Sequence, residues 1–260
     1  MTMSTNQASP PRFSIITVTY NAASTVGRTV GSVTEQTCGD YEHIIVDGAS
    51  SDGTLDVVSA ACQRPDRLIV KSEPDHGIYD AMNKGIGLSR GLYLIFLNAG
   101  DKFHSPQTLQ MISDRIDRSN MPGIVYGQTN LVDDKGAYLA PRHLTAPDKL
   151  GYRDFARGML VCHQAFVALK RIAPLYDTAY RFSADYDWCI RCLQHSRRNE
   201  YIDGVLVDYL SEGMTTANRK KSLKERFRIM SYYYGFWPTL LRHAGFAVRF
   251  MRNRLFNTPS

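Results

Sequence analysis

The chain lacks most of the features that would assign it to a class at once. Its five cysteines (Cys38, Cys62, Cys162, Cys189 and Cys192) are odd in number and scattered. That argues against a disulfide framework and for a reducing compartment. Cys189 and Cys192 form a C-x-x-C on an expected helix, but no second Cys or His pair stands at zinc spacing, so a structural zinc is not expected. No apolar run approaches the roughly 18 residues of a membrane span. The opening MTMSTNQASPPR is polar and has no hydrophobic centre, unlike a signal peptide or anchor. A G-x-S-x-G elbow is missing, since Gly48-Ala49-Ser50-Ser51-Asp52-Gly53 has the wrong spacing. Gly85-Ile86-Gly87 is the only G-x-G and falls late in a helix, which disfavours a dinucleotide oxidoreductase. Internal repeats and low-complexity linkers are absent as well.

Acid is scarce in one place. Between Arg219 and Arg254 ten Lys or Arg accompany a single Glu225, a local charge of +9 against +6 overall, so the remainder carries −3. The basic character belongs to the tail, which contains no nucleic-acid-binding module, and nucleic acid is not an expected partner. Apolar content of 43% and charged content of 22% are those of a globular protein, which leaves disorder explaining nothing here. A chain of 260 residues suffices for one large α/β domain with a C-terminal appendage.

What is present is a regular alternation. Residues 1–12 read as a loose tail. Phe13–Thr19 (FSIITVT) is a buried strand, Ala22–Gln36 a helix, His43–Val46 a strand, Thr54–Ala61 a helix, Leu68–Val70 a strand and Ile78–Ser89 a helix. The apolar run Leu92–Leu97 is a central strand that stops at Asn98-Ala99-Gly100-Asp101. This order predicts a parallel sheet with right-handed crossovers. Further on, a helix spans Pro106–Arg118, a short strand Ile124–Tyr126, and Asp133-Asp134-Lys135-Gly136 makes a hairpin turn. Pro141–Gly158 is irregular, His163–Leu169 reads as a strand, Ala184–Gln194 as a helix and Tyr201–Tyr209 as a strand. A polar loop over Ser211–Asn218 leads to basic helices.

Tyr20, Asp47, Asp80, Asn83 and Asp101 all fall at strand ends or in the loops and helix starts that follow. Each alone is adequately explained as a turn former or a first-turn acid. Together, on one rim of one sheet, they make a site, because open α/β sheets bind ligands outside the carboxyl ends of their strands. A nucleotide site needs such a set: a flat surface for the base, a carboxylate to accept its N–H, and polar groups for the ribose.

The runs TVTYN, IIVDGASSDGT, SEPDHGIYDAMNKGI, FLNAGD, HQAF and SADYDW, in that order, resemble glycosyltransferase family 2 with the GT-A fold, most closely bacterial exopolysaccharide transferases of the colanic-acid type. The resemblance runs from about Phe13 to about Tyr234. It implies a Rossmann-like, mostly parallel sheet flanked by helices, with a nucleotide-binding half over 13–127, an acceptor half over 128–217 and a helical tail over 218–260. It implies an inverting transfer of a sugar from a nucleotide sugar, a UDP-sugar by expectation, to a glycan or lipid-linked acceptor in cell-surface polysaccharide synthesis. Tyr20 and Asp47 would meet the nucleobase, and Thr19 and Gly100 would belong to the nucleotide-sugar site. Asp80, Asn83 and Lys84 would lie near the ribose and diphosphate. Asp101 would hold Mg²⁺ or Mn²⁺, Asp185 would be the base, and His163, Gln164 and Asp187 would face the acceptor. Two departures stand out: Gly100 where many members have Asp, and Ala184 where many have Glu. They keep open a non-catalytic sugar-nucleotide-binding or membrane-scaffold protein of the same fold. Asp185 and Asp187, two apart on a helix, do not share a face, so only one is expected to enter the site.

In the tail, Trp237, Leu240, Leu241, Ala244, Val248, Met251 and Leu255 recur at helical spacing, with Arg242, Arg249 and Arg252 off that face. Such a helix suits an anionic membrane surface, implying a cytoplasmic protein peripheral on the inner face of the plasma membrane. The same pattern equally suits docking on its own domain or on a second copy in a homo-oligomer.

Overall fold

The computed structural model describes residues 9–211 and 219–245. The strands of the first half are β1 (Phe13–Thr19), β2 (Tyr41–Asp47), β3 (Leu68–Ser72) and β4 (Tyr93–Phe96), separated by helices α1 (Val26–Thr34), α2 (Thr54–Ala61) and α3 (Ile78–Leu88). All three pairings among these strands are parallel, in the spatial order β3-β2-β1-β4. The chain therefore builds outward from β1 in one direction and then returns to its other side. The resulting crevice lies beside β1, at the switch point where such sheets bind ligands. β1, β2 and β4 are buried along their whole length, which is why their centres read as apolar runs rather than alternations, while the buried polar pairs Ser14–Glu42 and Thr17–His43 satisfy each other between β1 and β2.

The second half continues the same sheet: β5 (Lys102–Phe103), α4 (Thr108–Arg118), β6 (Ile124–Val132), β7 (Tyr138–Pro141), β8 (Phe166–Leu169), α5 (Ala184–His195), β9 (Asn199–Leu210) and α6 (Arg219–Tyr234). β8 inserts antiparallel between β4 and β6, β9 runs parallel to β6, and β5 closes the edge antiparallel to β9. One sheet thus crosses the expected boundary at 127/128. Helix layers cover both faces. Ile16, Val18, Leu94 and Phe96 face a core shared with Trp188, Tyr186, Ile229 and Met230, while Ile15, Tyr93, Ile95 and Leu97 face Leu109, Ile112 and Ile116.

Several boundaries differ from the sequence reading for identifiable reasons. α1 begins at Val26 rather than Ala22, because the N–H groups of Ala22 and Ala23 donate to Thr54 Oγ1 and Asp52 Oδ2 in the neighbouring loop. β6 runs on to Val132 because its polar Gln128 and Asn130 still find partners in β9. The hairpin at Asp133–Gly136 forms with Asp133 Oδ1 accepting from the N–H of Lys135 and Ala137. His163–Ala165 is a 3-10 turn, and the strand starts only at Phe166. Arg12, read as part of a loose tail, donates to Ser113 Oγ at 2.7 Å and pairs with Asp117 at 2.8 Å.

The largest difference concerns the tail. α6 is not an appendage: Ile229 and Met230 are buried in the main core, and Tyr233 Oη donates to Asp187 Oδ1 at 2.8 Å. A second helical segment covers 236–245. Val248, Met251 and Leu255, and most of the polar loop after Ser211, lie outside the described residues.

Candidate active site

At the carboxyl ends of β1 and β4 opens a cleft of about 600 Å³. Thr19, Tyr20, Asp101, His163, Gln164 and Asp185 all line it. Residues expected near a common ligand, from positions 166 apart in sequence, therefore share one cavity.

The nucleobase end is organised by hydrogen bonding behind the surface. Asp47 is fully buried and does not line the cleft. Its Oδ2 accepts from Ser50 N at 2.9 Å and Ser72 Oγ at 2.7 Å, and its Oδ1 from Ser50 Oγ. Ser50 Oγ in turn accepts from Asn21 N at 2.8 Å. The carboxylate is spent on holding the loop that turns Tyr20 outward. The carboxylate that does reach the cleft is Asp75, which the sequence reading passed over. Its Oδ1 accepts from Gly77 N, while Oδ2 takes no hydrogen bond from the described residues. A Cβ at Gly48 would stand 2.6 Å from that Oδ2 and 3.2 Å from the Tyr20 ring, so Gly48, Tyr20 and Asp75 form one shelf that requires glycine at its base. The strand-end logic that singled out Asp47 applies equally to the loop after β3 and would have found Asp75.

Asp80, Asn83 and Lys84 lie behind this shelf, away from the cleft. Lys84 Nζ donates to Pro74 O at 2.7 Å and pairs with Glu73 and Asp80. Asp80 Oδ2 accepts from His76 N, a bond that holds its carboxyl below the usual range. Asn83 exchanges two hydrogen bonds with the backbone of Tyr176. The geometry makes Asp80 and Lys84 the mounting of the Glu73–His76 loop and Asn83 a tie to the Tyr176 backbone, a correction to their expected place beside ribose and diphosphate.

Asp101 is buried on the cleft floor. Oδ1 accepts from Leu210 N and Oδ2 from Gln164 Nε2, both at 2.9 Å. Burial pushes its carboxyl up to about 7, only partly offset by those two donors. Gln164, expected to face an acceptor, is engaged on both sides, since its Oε1 accepts from the Cys162 thiol. Gly100 explains one departure from the family pattern. It adopts φ +102°, and a Cβ there would stand 2.8 Å from Leu210 Cδ2. Its N–H donates to Thr29 Oγ1 and its carbonyl accepts from Arg28 Nε, so the peptide belongs to the scaffold rather than to the cleft lining. We expect Gly100→Asp to cost about 1–3 kcal/mol, read as a lowered Tm, without tightening Mn²⁺ binding. A more stable variant with stronger cation binding would contradict this.

Among the described residues no three metal-ligating side chains converge. Asp101 is the one carboxylate at the expected position. Asn98, three residues before it, also lines the cleft and has a buried Oδ1 with no hydrogen-bond partner. That donor set fits a cation that draws most of its shell from phosphate oxygens and water, as Mg²⁺ commonly does.

On the opposite wall, Asp185 sits in the first turn of α5. Its Oδ1 accepts from Tyr79 Oη at 3.0 Å and from Tyr186 N at 2.9 Å, leaving Oδ2 without a partner among the described residues. Asp187 points the other way: it pairs with Arg191 Nε at 2.7 Å and accepts from Tyr233 Oη, which anchors α6. Its expected contact with an acceptor is thereby corrected, while the two-residue spacing argument holds. His163 is buried against Phe96 and Trp188, its Nε2 is 2.7 Å from Tyr176 Oη, and burial pushes its pKa down to about 4. It is a neutral ring at pH 7.

Residues 14–173 match the model of Glycosyl transferase family 2. The chain belongs to glycosyltransferase family 2. A glycosyltransferase of PGL/p-HBAD biosynthesis from Mycobacterium tuberculosis is 36% identical over 209 residues, covering 76% of this chain and 77% of the relative. The amylovoran biosynthesis glycosyltransferase AmsB of Erwinia amylovora is 30% identical, covering 69% and 63%. Among solved structures, TarS of S. aureus superposes with a TM-score of 0.71 at 15% identity, covering 95% of this chain and 76% of TarS. TarS bound to UDP-GlcNAc gives 0.68, over 85% and 66%. The mannosyltransferase PcManGT from Pyrobaculum calidifontis, in complex with GDP-Man and Mn²⁺, gives 0.60 at 17% identity, over 96% and 76%. The fold is thus the GT-A type, and relatives of this family member act in PGL/p-HBAD and amylovoran biosynthesis. The colanic-acid likeness is not reflected in these relatives.

Proposed function

We propose that the protein is an inverting glycosyltransferase that uses a nucleotide sugar, with UDP-sugar as the donor class, and acts on a glycan or lipid-linked acceptor. The observation that carries this reading is the convergence of Tyr20, Asp75, Asp101 and Asp185 on one cleft. Tyr20, two-thirds exposed, offers its ring to a base, and Asp75 Oδ2 stands beside it to accept a base or ribose hydrogen. Asp101 and Asn98 would hold a divalent cation against the diphosphate, where it would supply Lewis-acid stabilisation of the leaving group. From the far wall, Asp185 Oδ2 takes the proton of the acceptor hydroxyl as that oxygen bonds to the anomeric carbon and the bond to the diphosphate breaks. Tyr79 and the Tyr186 N–H hold Asp185 by its other oxygen, which keeps Oδ2 aimed at the acceptor. A panel of nucleotide sugars tested by thermal shift and by turnover, with and without Mn²⁺, tests the reading, since a bound donor raises apparent stability by mass action. Stabilisation by none of them would refute it, and stabilisation without turnover would favour the non-catalytic alternative.

The C-terminal helical segments carry a surface of their own. Among the described residues no helix is long and apolar enough to cross a membrane. Trp237 and Leu241 are 71% and 73% exposed on the 236–245 segment, with Leu240 beside them. Exposed Lys221, Lys224 and Arg228 on α6 add positive charge on the preceding helix, whose Phe227 packs against Phe236 and His243. We propose that these segments rest on an anionic lipid surface, which would bring lipid-linked acceptors to the cleft. Since α6 is part of the core, deletion of residues 219–260 would disturb the fold, and surface substitutions are the cleaner probe. Trp237→Ser with Leu241→Ser is expected to lower binding to phosphatidylglycerol vesicles about tenfold or more, with Tm unchanged. Equal binding by the variant would remove the membrane proposal.

A further inference from the structure

Two guanidinium groups on the second-half wall of the cleft, Arg181 and Arg226, have no anionic partner among the described residues. They differ from the other charged groups nearby. Arg142, which also lines the cleft, spends its guanidinium on the carbonyls of Leu144, Met159 and Leu160. Arg191 is paired with Asp187. Arg226 lies on α6 with its Cζ 5.7 Å over the Tyr186 ring, and its Nε is buried without a hydrogen-bond acceptor. A buried N–H in that state carries a desolvation cost that an incoming acceptor oxygen would remove.

The placement of the pair is built into the fold. Glu225, adjacent to Arg226, accepts from Arg181 N at 2.9 Å and from Phe182 N at 2.8 Å. Ser183 and Ser222 are hydrogen-bonded at 3.0 Å in the same junction. One carboxylate thus fixes the backbone that carries Arg181 to the helix that carries Arg226, beside the start of α5 and Asp185. Asp75 belongs to the nucleobase shelf and Asp101 to the cleft floor, so the two guanidinium groups supply the unpaired positive charge beside Asp185.

We propose that Arg181 and Arg226 form a phosphate-binding pair that engages a diphosphate ester in the cleft. The inference rests on the nucleotide-sugar reading above. Two sources share this chemistry: the donor's own diphosphate, or a phosphate on a lipid-linked acceptor. In transfer, a bond forms from the acceptor oxygen to the anomeric carbon and the bond from that carbon to the diphosphate oxygen breaks. The electron pair stays on the diphosphate and the acceptor proton goes to Asp185. Planar forks with N–H donors match phosphate oxygens and would stabilise that added charge in a site where protein ligands for a cation are few.

Titration calorimetry on the full chain with UDP and with uridine separates phosphate from base contributions. For the donor's diphosphate, Arg226→Gln and Arg181→Gln are each expected to weaken UDP about tenfold or more and to leave uridine unchanged, with Arg226→Lys intermediate. For an acceptor phosphate, UDP affinity holds, and binding of dodecyl phosphate to the UDP-saturated protein is lost instead. Arg181 is exposed, so its variant carries the test even where Arg226→Gln lowers Tm. If both ligands bind both Gln variants as they bind the wild type, the pair is not a phosphate site. A wild-type chain that binds neither UDP nor uridine would instead contradict the nucleotide-sugar reading.

Discussion

Asp185→Asn is expected to lower kcat about 10²–10⁴-fold while the affinity for UDP stays within about twofold. The asparagine keeps an acceptor for Tyr79 Oη and Tyr186 N, so the start of α5 and the Tyr79–Tyr176 stack are preserved. What disappears is the oxygen that takes the acceptor's proton. Because that proton moves only as the new glycosidic bond forms, the loss falls on kcat rather than on donor binding. Single-turnover transfer, measured beside UDP affinity and Tm, reads all three quantities. A variant that retains more than a tenth of wild-type turnover would remove Asp185 from the role of base, and a matching loss of UDP affinity would assign it to donor binding.

Asp101→Asn is expected to reduce transfer on the order of 10²-fold and to abolish the response to Mn²⁺. The neutral side chain can still accept from Leu210 N–H, so the tie between the cleft floor and β9 survives. The substitution also has a signature in stability. Burial raises the Asp101 carboxyl from an ordinary value of 3.8 to about 7, so between about pH 4 and pH 7 the native state holds a proton that the unfolded chain releases. The contribution is complete below the unfolded value and is lost as pH rises through the folded one. The Tm of the wild type relative to Asp101→Asn should therefore fall from pH 4 to pH 7 and level off above, in cation-free buffer. A flat difference would mean that the carboxyl is not buried as described. Wild-type transfer and Mn²⁺ response in the variant would take the cation away from this residue.

Much of this site could be read before any coordinates, and the reasons are local. Strands buried on both faces are largely apolar, so the loops beyond them stand out, as at Tyr20-Asn21 and Asn98-Ala99-Gly100. Helical geometry sends Asp185 and Asp187 to different sides, and the spacing alone indicated that one would leave the cleft. The sequence is less informative about which polar group at a strand end faces outward. Asp47 and Asp75 follow adjacent strands, and only the hydroxyls of Ser50 and Ser72, brought together by tertiary structure, decide that Asp47 is occupied. Asp80, Asn83 and Lys84 occupy a helix that passes the cleft, yet the side chains of Asp80 and Lys84 serve the loop carrying Asp75, and that of Asn83 serves the backbone of Tyr176. Least legible was α6. Its sequence reads as a basic helical appendage, whereas Glu225, Ile229, Met230 and Tyr233 find partners on loops and helices far away in sequence. Long-range pairing of this kind leaves no periodic signal.

The position of UDP in a complex with the full chain tests the central claim most directly. The base should lie on Tyr20 within hydrogen-bond reach of Asp75, and the diphosphate between Asp101 and the wall that carries Asp185. A nucleotide seated elsewhere, or a base on Tyr20 with its phosphates directed away from both carboxylates, would contradict the assignment of one transfer site to this cleft.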